Sequence, residues 1–299
     1  MNFKNKKILV TGGSGFIGEN FIKRLKILNE DVVNYDISNG NDILDKKSLA
    51  EFIKKKYDVI YHLAGYSGSS ESNENVEKSY RINTFATVNL LNLISRYSPN
   101  TKIILSSSRL EYGVPKYLPV DEKHPTNPTS AYGLSKLAAT QMAMVYYRKN
   151  GLDVTVFRTS NVYGPHPPAK FTGYNTINHF IDLAKNNKIL TIFGDGEQER
   201  DYLYIGDLID AFILTAIKNS DNKIYNLGFE QGIKFKDMVY LIVKKVGKGK
   251  GEFKDWPKDF KDVETGSYIS DISKIKKELG FKPKINFEEG VYKTVNNIL

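Results

Sequence analysis

Tyr132 and Lys136 stand four residues apart in the segment Tyr132-Gly133-Leu134-Ser135-Lys136. On a helix that spacing puts both side chains on one face. An ammonium beside a phenol favours the phenolate. A phenolate can take a proton from a carbon-bound hydroxyl while a hydride leaves the same carbon, which requires a hydride acceptor. The N-terminus carries the parts of a seat for one. Ile8-Leu9-Val10-Thr11-Gly12-Gly13-Ser14-Gly15-Phe16-Ile17-Gly18 reads as a strand, a glycine-rich turn and a helix start. Gly12 permits the turn, Gly15 lets backbone N–H groups approach a pyrophosphate, and Gly18 lets the helix pack close to the strand. Phe16 and Ile17 open the helix whose N-terminus faces the anion. The spacing is one residue wider than the G-x-G-x-x-G dinucleotide fingerprint. The next strand ends at Tyr35-Asp36, about 20 residues past the turn, where a carboxylate accepts hydrogen bonds from a ribose 2′-hydroxyl and repels a 2′-phosphate. The expected cofactor is therefore NAD, with NADP the weaker fit.

Other strand ends point to the same crevice. Asp42 and Ile43 are expected to bracket the adenine. Leu63-Ala64-Gly65 ends a strand on small residues, as a closely approaching dinucleotide requires. His62, just before, reads as a packed histidine rather than a catalyst. A fourth strand runs into Ser106-Ser107-Ser108, where a hydroxyl at the crevice rim could orient a substrate hydroxyl or simply cap backbone; Ser106 and Ser107 read as capping serines, and the residues alone leave Ser108 open. Gly65–Ser70 lines a sugar pocket or forms a plain surface loop; the residues leave both open.

These groups need a scaffold. Ile8–Val10, Val32–Tyr35, Val59–Leu63, Ile103–Leu105 and Val154–Phe157 are short apolar runs rich in β-branched residues, the pattern of buried parallel strands. Helical patterns over Phe16–Leu28, Ser48–Lys56, Asn75–Tyr97 and Ser130–Lys149 alternate with them. The alternation predicts an α/β fold with a doubly wound parallel sheet of Rossmann type. After Pro165, Pro167 and Pro168 the pattern loosens. Helices are expected near Thr176–Asn187, Asp207–Ile217, Lys236–Lys245 and Asp271–Leu279, and strands near Ile189–Phe193 and Ile224–Leu227. Residues 1–165 read as a dinucleotide-binding domain. Residues 166–299 read mainly as a smaller C-terminal α/β substrate lobe, with some segments returning to the first sheet.

Composition narrows the class. The 299 residues are 40% hydrophobic and 26% charged, as in ordinary globular proteins. No run approaches the roughly 20 apolar residues of a membrane span, and Met1–Lys7 lacks the apolar core of a secretory signal. The net charge of +9 is spread along the chain, which suits a solvated lysine-rich surface and a field attracting small anions better than a nucleic-acid or membrane patch. With no cysteine there is no disulfide, thiolate metal ligand or cysteine nucleophile. A cytoplasmic enzyme without a metal site is expected.

Taken together, TGGSGFIG at 11–18, YHLAG at 61–65, Asn83 in YRINTFAT, SSSRLEYG at 106–113, YGLSK at 132–136, FRTSNVYGP at 157–165 and FGDGEQERDYLYIGDL at 193–208 resemble the extended short-chain dehydrogenase/reductase superfamily, in its NAD-dependent nucleotide-sugar epimerase/dehydratase branch. The resemblance covers nearly the whole chain. It implies a catalytic triad of Ser108, Tyr132 and Lys136, a cofactor contact at Asn83, and substrate diphosphate contacts at Asn161 and Arg200. An arginine suits the last role because its planar fork bonds phosphate oxygens in pairs; a salt bridge with neighbouring acids is the alternative. Three departures stand out. Arg109-Leu110 occupies the place where the branch's 4,6-dehydratases carry Asp-Glu, which argues against dehydration. Ser160 stands where epimerases often have a large apolar residue. No C-terminal arginine offers a second diphosphate contact, although Lys258 or Lys261 could replace it and Trp256 could stack on a base.

The leading reading is a nucleotide-sugar 4-epimerase with reversible hydride transfer at C4. The rival is a 4-ketoreductase or 4-dehydrogenase acting on a 6-deoxy or heptose sugar nucleotide, with Arg109 facing the sugar. A nonenzymatic dinucleotide-binding scaffold fits poorly, because Ser108, Tyr132 and Lys136 are all present. The resemblance also implies a homodimer paired through Asn75–Tyr97 and Ser130–Lys149; Ala131, Ala138, Ala139 and Met142 suit that face and a buried core face equally well.

Overall fold

Six strands align in parallel in the order β2-β1-β3-β4-β5-β9. They are β1 (Ile8–Thr11), β2 (Val32–Tyr35), β3 (Val59–His62), β4 (Lys102–Ser108), β5 (Val154–Thr159) and β9 (Lys223–Leu227). The computed structural model describes residues 6–28, 31–165, 175–218 and 223–298, so Pro167 and Pro168 lie outside the described residues. Successive strand residues face opposite layers. Ile8, Val10, Val59, Tyr61 and Ile104 pack with Phe21 and Leu25 of the helix Phe16–Leu28 and with Leu208 and Phe212 of the helix Ile205–Ile217. Leu9, Ile60, Ile103, Leu105, Val154 and Val156 face the other way, onto the helices Lys46–Ile53, Ala86–Tyr97 and Ala131–Asn150. Apolar demand on both faces makes each strand read as a continuous hydrophobic run.

β1 lies between β2 and β3, so the chain leaves it toward one edge and returns on the other side. Such a reversal opens a crevice at the carboxyl ends of the strands. β9, from the second half of the chain, pairs with β5, as the expected return to the sheet requires. The rest of that half builds two small sheets. One runs β10 (Gly232–Lys234), β8 (Glu199–Tyr204), β6 (Asn161–Tyr163); the other pairs β11 (Lys250–Lys254) with β7 (Ile189–Phe193). β6, β8, β10 and β11 are short and polar, and the sequence pattern alone does not reveal them. Met238, Val239 and Ile242 of the helix Phe235–Val246 continue the Phe21–Phe212 core.

Two elements depart from expectation in ways that bear on the site. β4 runs through Ser106, Ser107 and Ser108, because β5 keeps pairing with it as far as Thr159. The expected helix Asn75–Tyr97 is interrupted by a π-helical segment, Arg81–Phe85, between Val76–Tyr80 and Ala86–Tyr97. The widened turn carries Asn83, and such bulges often accompany functional positions. The helix Ala131–Asn150 starts where Ser130 accepts a hydrogen bond from the Gly133 amide and stops at Gly151, with φ of 70°. Gly133, Ser135, Ala139 and Thr140 form its buried face, whereas Ala131, Ala138 and Met142 are half-buried. Among the described residues no helix is long and apolar enough to cross a membrane.

Candidate active site

A cleft of about 830 Å³ lies over the carboxyl ends of β1, β3, β4 and β5 and is closed on its far side by residues of the second half. At its near end lies the glycine-rich turn. Gly12 has φ of +72°, and a Cβ there would sit 2.5 Å from the Ala64 amide nitrogen. Gly18 allows the helix to rest on the turn, since its Cβ would lie 2.3 Å from the Gly12 carbonyl oxygen. Gly15 differs. A Cβ there meets only the Gly12 carbonyl, at an ordinary 3.5 Å, so the fold itself does not demand glycine. Gly15, Phe16, Ile17 and Gly18 line the cleft at the N-terminus of the helix, whose dipole turns partial positive charge toward it, and the space a Gly15 side chain would fill is left open to a pyrophosphate. Asp36 stands beside the turn. One carboxylate oxygen accepts from the Ser14 amide at 3.1 Å and the other from the Ser38 amide at 2.9 Å. A glycine cradle with a carboxylate at its ribose end fits NAD.

Not every expected cofactor residue reaches this cleft. Leu63 and Gly65 line it. Asp42 and Ile43 do not: Asp42 caps the Leu44 amide at 2.9 Å and accepts the Tyr35 hydroxyl on its backbone carbonyl, while Ile43 packs in the core. Ala64 lies behind Gly12. Asn83 also works from behind, its amide accepting from the Tyr66 N–H at 2.8 Å and donating to the Tyr66 carbonyl at 2.9 Å and to Ser135 at 3.0 Å. It thereby pins the start of the Gly65–Ser69 stretch that lines the cleft. His62 is buried. Thr87 gives its one hydroxyl hydrogen to the Asn83 carbonyl, so His62 Nε2 donates to Thr87 at 2.9 Å and Nδ1 accepts from Thr11 at 2.7 Å. Burial, with Lys136 adding to it, pushes its pKa down to about 3 and keeps it neutral.

Ser108, Tyr132 and Lys136 converge on the cleft. Ser108 stands beside the Tyr132 phenol, and its hydroxyl accepts from the Leu110 amide at 3.2 Å. Burial pushes the phenol up to about 12, with Ser108 opposing. Burial draws Lys136 down to about 8, with Glu111 opposing. Lys136 donates one N–H to the Ser106 carbonyl at 2.7 Å, which leaves two for a ligand. The buried phenol therefore resists ionisation, and a phenolate there needs positive charge brought beside Tyr132.

Behind the triad lies a network that spacing did not reveal. Glu111, fully buried, takes Arg158 Nε at 2.7 Å, Thr140 Oγ1 at 2.6 Å and the Ser107 hydroxyl. Arg158 continues to the Tyr112 hydroxyl at 3.0 Å, and Tyr112 donates to Asn226 Oδ1 at 2.6 Å. Burial works against the Arg158 charge, but Glu111 and Tyr112 outweigh it and raise its pKa. The network ties β4, β5, β9 and the catalytic helix together directly beneath Ser108. No local pattern signalled it: Glu111 lies in the turn Arg109–Glu111 after β4, and Arg158 lies near the end of β5.

At the far end Asn161 and Arg200 line the cleft, together with Ser160 and Tyr202. Asn161 donates to the Asp201 carbonyl at 3.1 Å, leaving its own carbonyl open. The Ser160 hydroxyl is buried without any hydrogen-bond partner, a state that a bound ligand relieves. Arg200 is paired with Glu264, remote in sequence, rather than with its neighbours. Arg109 turns away from the cleft, its guanidinium 5.1 Å above the Tyr268 ring. Lys258 and Lys261 are not among the cleft residues. Trp256 packs on Phe193, ring centres 5.3 Å apart, over Gly194.

Comparison with known proteins gives the same outline. Residues 8–228 match the family described as "NAD dependent epimerase/dehydratase family". A Methanocaldococcus jannaschii protein named "Putative UDP-glucose 4-epimerase" is 34% identical over 97% of both chains. Two crystal structures superpose closely. The UDP-glucose 4-epimerase of Thermotoga maritima with UDP-glucose is 27% identical, with a TM-score of 0.87 over 97% of each chain. The UDP-glucose 4-epimerase of Thermus thermophilus in complex with NAD is 26% identical, with a TM-score of 0.86 over 97% of this chain and 98% of that one.

Three substitutions test this geometry. Glu111→Gln leaves Arg158 buried without its counter-charge and is expected to lower unfolding stability by about 3–5 kcal/mol in urea titrations; a loss below about 1 kcal/mol would show the pair to be dispensable. Gly18→Ala should cost about 1–3 kcal/mol through overpacking. Gly15→Ala should leave stability within about 0.5 kcal/mol yet weaken dinucleotide binding measured by calorimetry. Equal effects of the two glycine changes on stability would contradict the open-cradle reading.

Proposed function

The chain belongs to the NAD dependent epimerase/dehydratase family, and from that premise we propose that it is a nucleotide-sugar 4-epimerase using NAD in preference to NADP. One observation carries the choice within the family. Among the described residues lining the cleft, Asp36 is the sole carboxylate, and it lies at the dinucleotide end. Among the described residues no acidic one lines the sugar end, where removal of a hydroxyl as water needs a proton donor. Arg109, in the position that would supply such a group, is buried against Tyr268.

Gly12 to Gly18, Asp36 and Lys136 would hold the dinucleotide, which when bound supplies a reversible hydride acceptor and a positive ring. Tyr132 takes the proton from the sugar 4-hydroxyl, with Ser108, beside the phenol, orienting that hydroxyl. The Lys136 ammonium stabilises the phenolate by direct charge. Its two remaining N–H groups hold the adjoining ribose. Asn161 and Arg200 hold the substrate diphosphate at the far end, so that the sugar alone is free to turn over inside the cleft. When the proton returns from Tyr132 to the 4-oxygen the epimer is complete, with no net change in cofactor.

Ser160 favours a second reading. An unpartnered hydroxyl in the cleft suits a polar substituent more than an apolar epimerase wall, as in a 4-ketoreductase or 4-dehydrogenase with one net hydride transfer on a 6-deoxy or heptose sugar nucleotide. The two readings separate cleanly. Cofactor released by denaturation should be NAD by mass spectrometry. UDP-glucose and related donors should yield C4 epimers by NMR without NADH or NADPH consumption. Stoichiometric reductant use with a 4-keto donor would establish the second reading instead. Tyr132→Phe should lower kcat by about 10²–10⁴, and unchanged turnover would exclude both.

The proposal extends to a homodimer. Phe85, 60% exposed, and Leu134, 46% exposed, sit on helical segments packed against one another, and a second copy would bury them. Light scattering should give twice the chain mass at micromolar concentration; the single-chain mass would rule the dimer out.

A further inference from the structure

Arg200 does not face the cleft with its guanidinium unoccupied. Three successive residues of a remote loop fold onto two arginines. Arg200 donates to the Glu264 carboxylate and, from Nη1, to the Gly266 carbonyl at 2.6 Å and the Glu199 carbonyl at 3.0 Å. Arg109 donates to the Thr265 hydroxyl at 3.1 Å. The Gly266 amide closes the turn on the same Glu264 oxygen at 2.8 Å. Both arginines are 8% exposed, and Thr265 is 3% exposed. Arg200 and Tyr268 bridge through their backbones, and Tyr268 carries Arg109 on its ring face, so the two guanidiniums share one small region.

The charge balance is uneven. Two buried cations stand against one carboxylate, and an incompletely compensated buried charge is costly. Burial, then Arg200, draws the Arg109 pKa down to about 10, the sign of two like charges held close. A dianion at Arg200 would balance the pair better than the single negative charge of Glu264 does. The diphosphate of a nucleotide sugar is such a dianion, and Arg200 is the cleft-lining member.

We propose that Glu264 is an internal stand-in for the substrate diphosphate: it occupies the Arg200 guanidinium in the free protein and is displaced when a nucleotide sugar binds. Arg109 is then the second positive charge, acting from behind the cleft wall in place of the missing C-terminal arginine. It also anchors the loop through Thr265, so that Glu264 moves without the whole segment detaching. Glu264 becomes a specificity-determining residue, because a singly charged ligand gains nothing by replacing it. This inference rests on the reading that Arg200 meets the diphosphate.

The test uses the full-length protein and nucleoside diphosphates (UDP, dTDP and GDP) in titration calorimetry. The tightest binder should bind Glu264→Gln about five- to tenfold more tightly than wild type, since a partly buried ion pair no longer has to be broken. Hydrogen exchange across residues 262–266 should rise on binding in the wild type and stay flat in Glu264→Gln. Equal or weaker binding by Glu264→Gln, with exchange unchanged in the wild type, would overturn the displacement. Arg200→Lys reports on the underlying reading instead. It should lose at least tenfold in affinity, because an ammonium lacks the paired N–H groups of a guanidinium. Wild-type affinity in Arg200→Lys, or no diphosphate binding by wild type, would overturn the Arg200 assignment itself.

Discussion

The buried pair of Glu111 and Arg158 is the interaction on which the placement of Ser108, Tyr132 and Lys136 hangs. Two charges taken out of water repay their desolvation only when every remaining lone pair and proton is satisfied. Here Thr140, Ser107 and Tyr112 complete the shell, and Asn226 extends it to β9. These partners come from three parts of the chain: the end of β4 with its following turn, the helix Ala131–Asn150 and β9. The catalytic helix, the end of β4, β5 and the returning strand must therefore assemble together or leave a charge unpaired. Ser108 follows directly on Ser107, and Tyr132 is two turns ahead of Thr140. The network thus sets where hydroxyl and phenol meet. Its cost is conformational freedom, which suits a site whose members must stay within hydrogen-bond reach.

A second constraint is steric. β1 and β3 approach so closely at their carboxyl ends that Gly12 has no room for a side chain beside Ala64. The same approach opens the crevice at the strand reversal, and the helix resting on Gly18 turns its N-terminus toward it. Close packing and anion binding are thus one geometric fact. Gly15 is the exception that identifies the ligand side: it is glycine without any protein atom demanding it.

The far wall of the cleft is a matter of charge. Asp201 beside Arg200 is buried and accepts from the Phe229, Glu230 and Ser270 amides and from the Ser270 hydroxyl. That holds β8 against two loops and keeps Arg200 and Asn161 at fixed depth. The positive charges gathered here belong to residues 109 and 200, brought together only by folding, and the carboxylate that pairs with Arg200 comes from residue 264. The net basic character of the chain has at least this local use.

Much of this was legible in the chain itself. The doubly wound sheet follows from apolar runs and helical periods, because buried parallel strands tolerate no polar alternation. The glycine turn, Asp36 and the Tyr132–Lys136 pair follow from spacing, since one turn or one helix fixes them locally, whereas Ser108 was singled out only by the family resemblance. Asp42, Ile43 and Arg109 were expected at the ligand, and the side chains point elsewhere: Ile43 into the core, Asp42 onto the Leu44 amide, Arg109 onto the Tyr268 ring. Glu111, Arg158 and Glu264 carried no local pattern at all. Their partners lie 47 and 64 residues away, and no periodicity encodes a contact between strand ends or loops that meet only in three dimensions. The sequence by itself determined the fold and the chemistry that local spacing can assemble. Tertiary structure alone decided which charges are paired and which stay available, because pairing depends on distance and burial, and neither exists until the chain has folded.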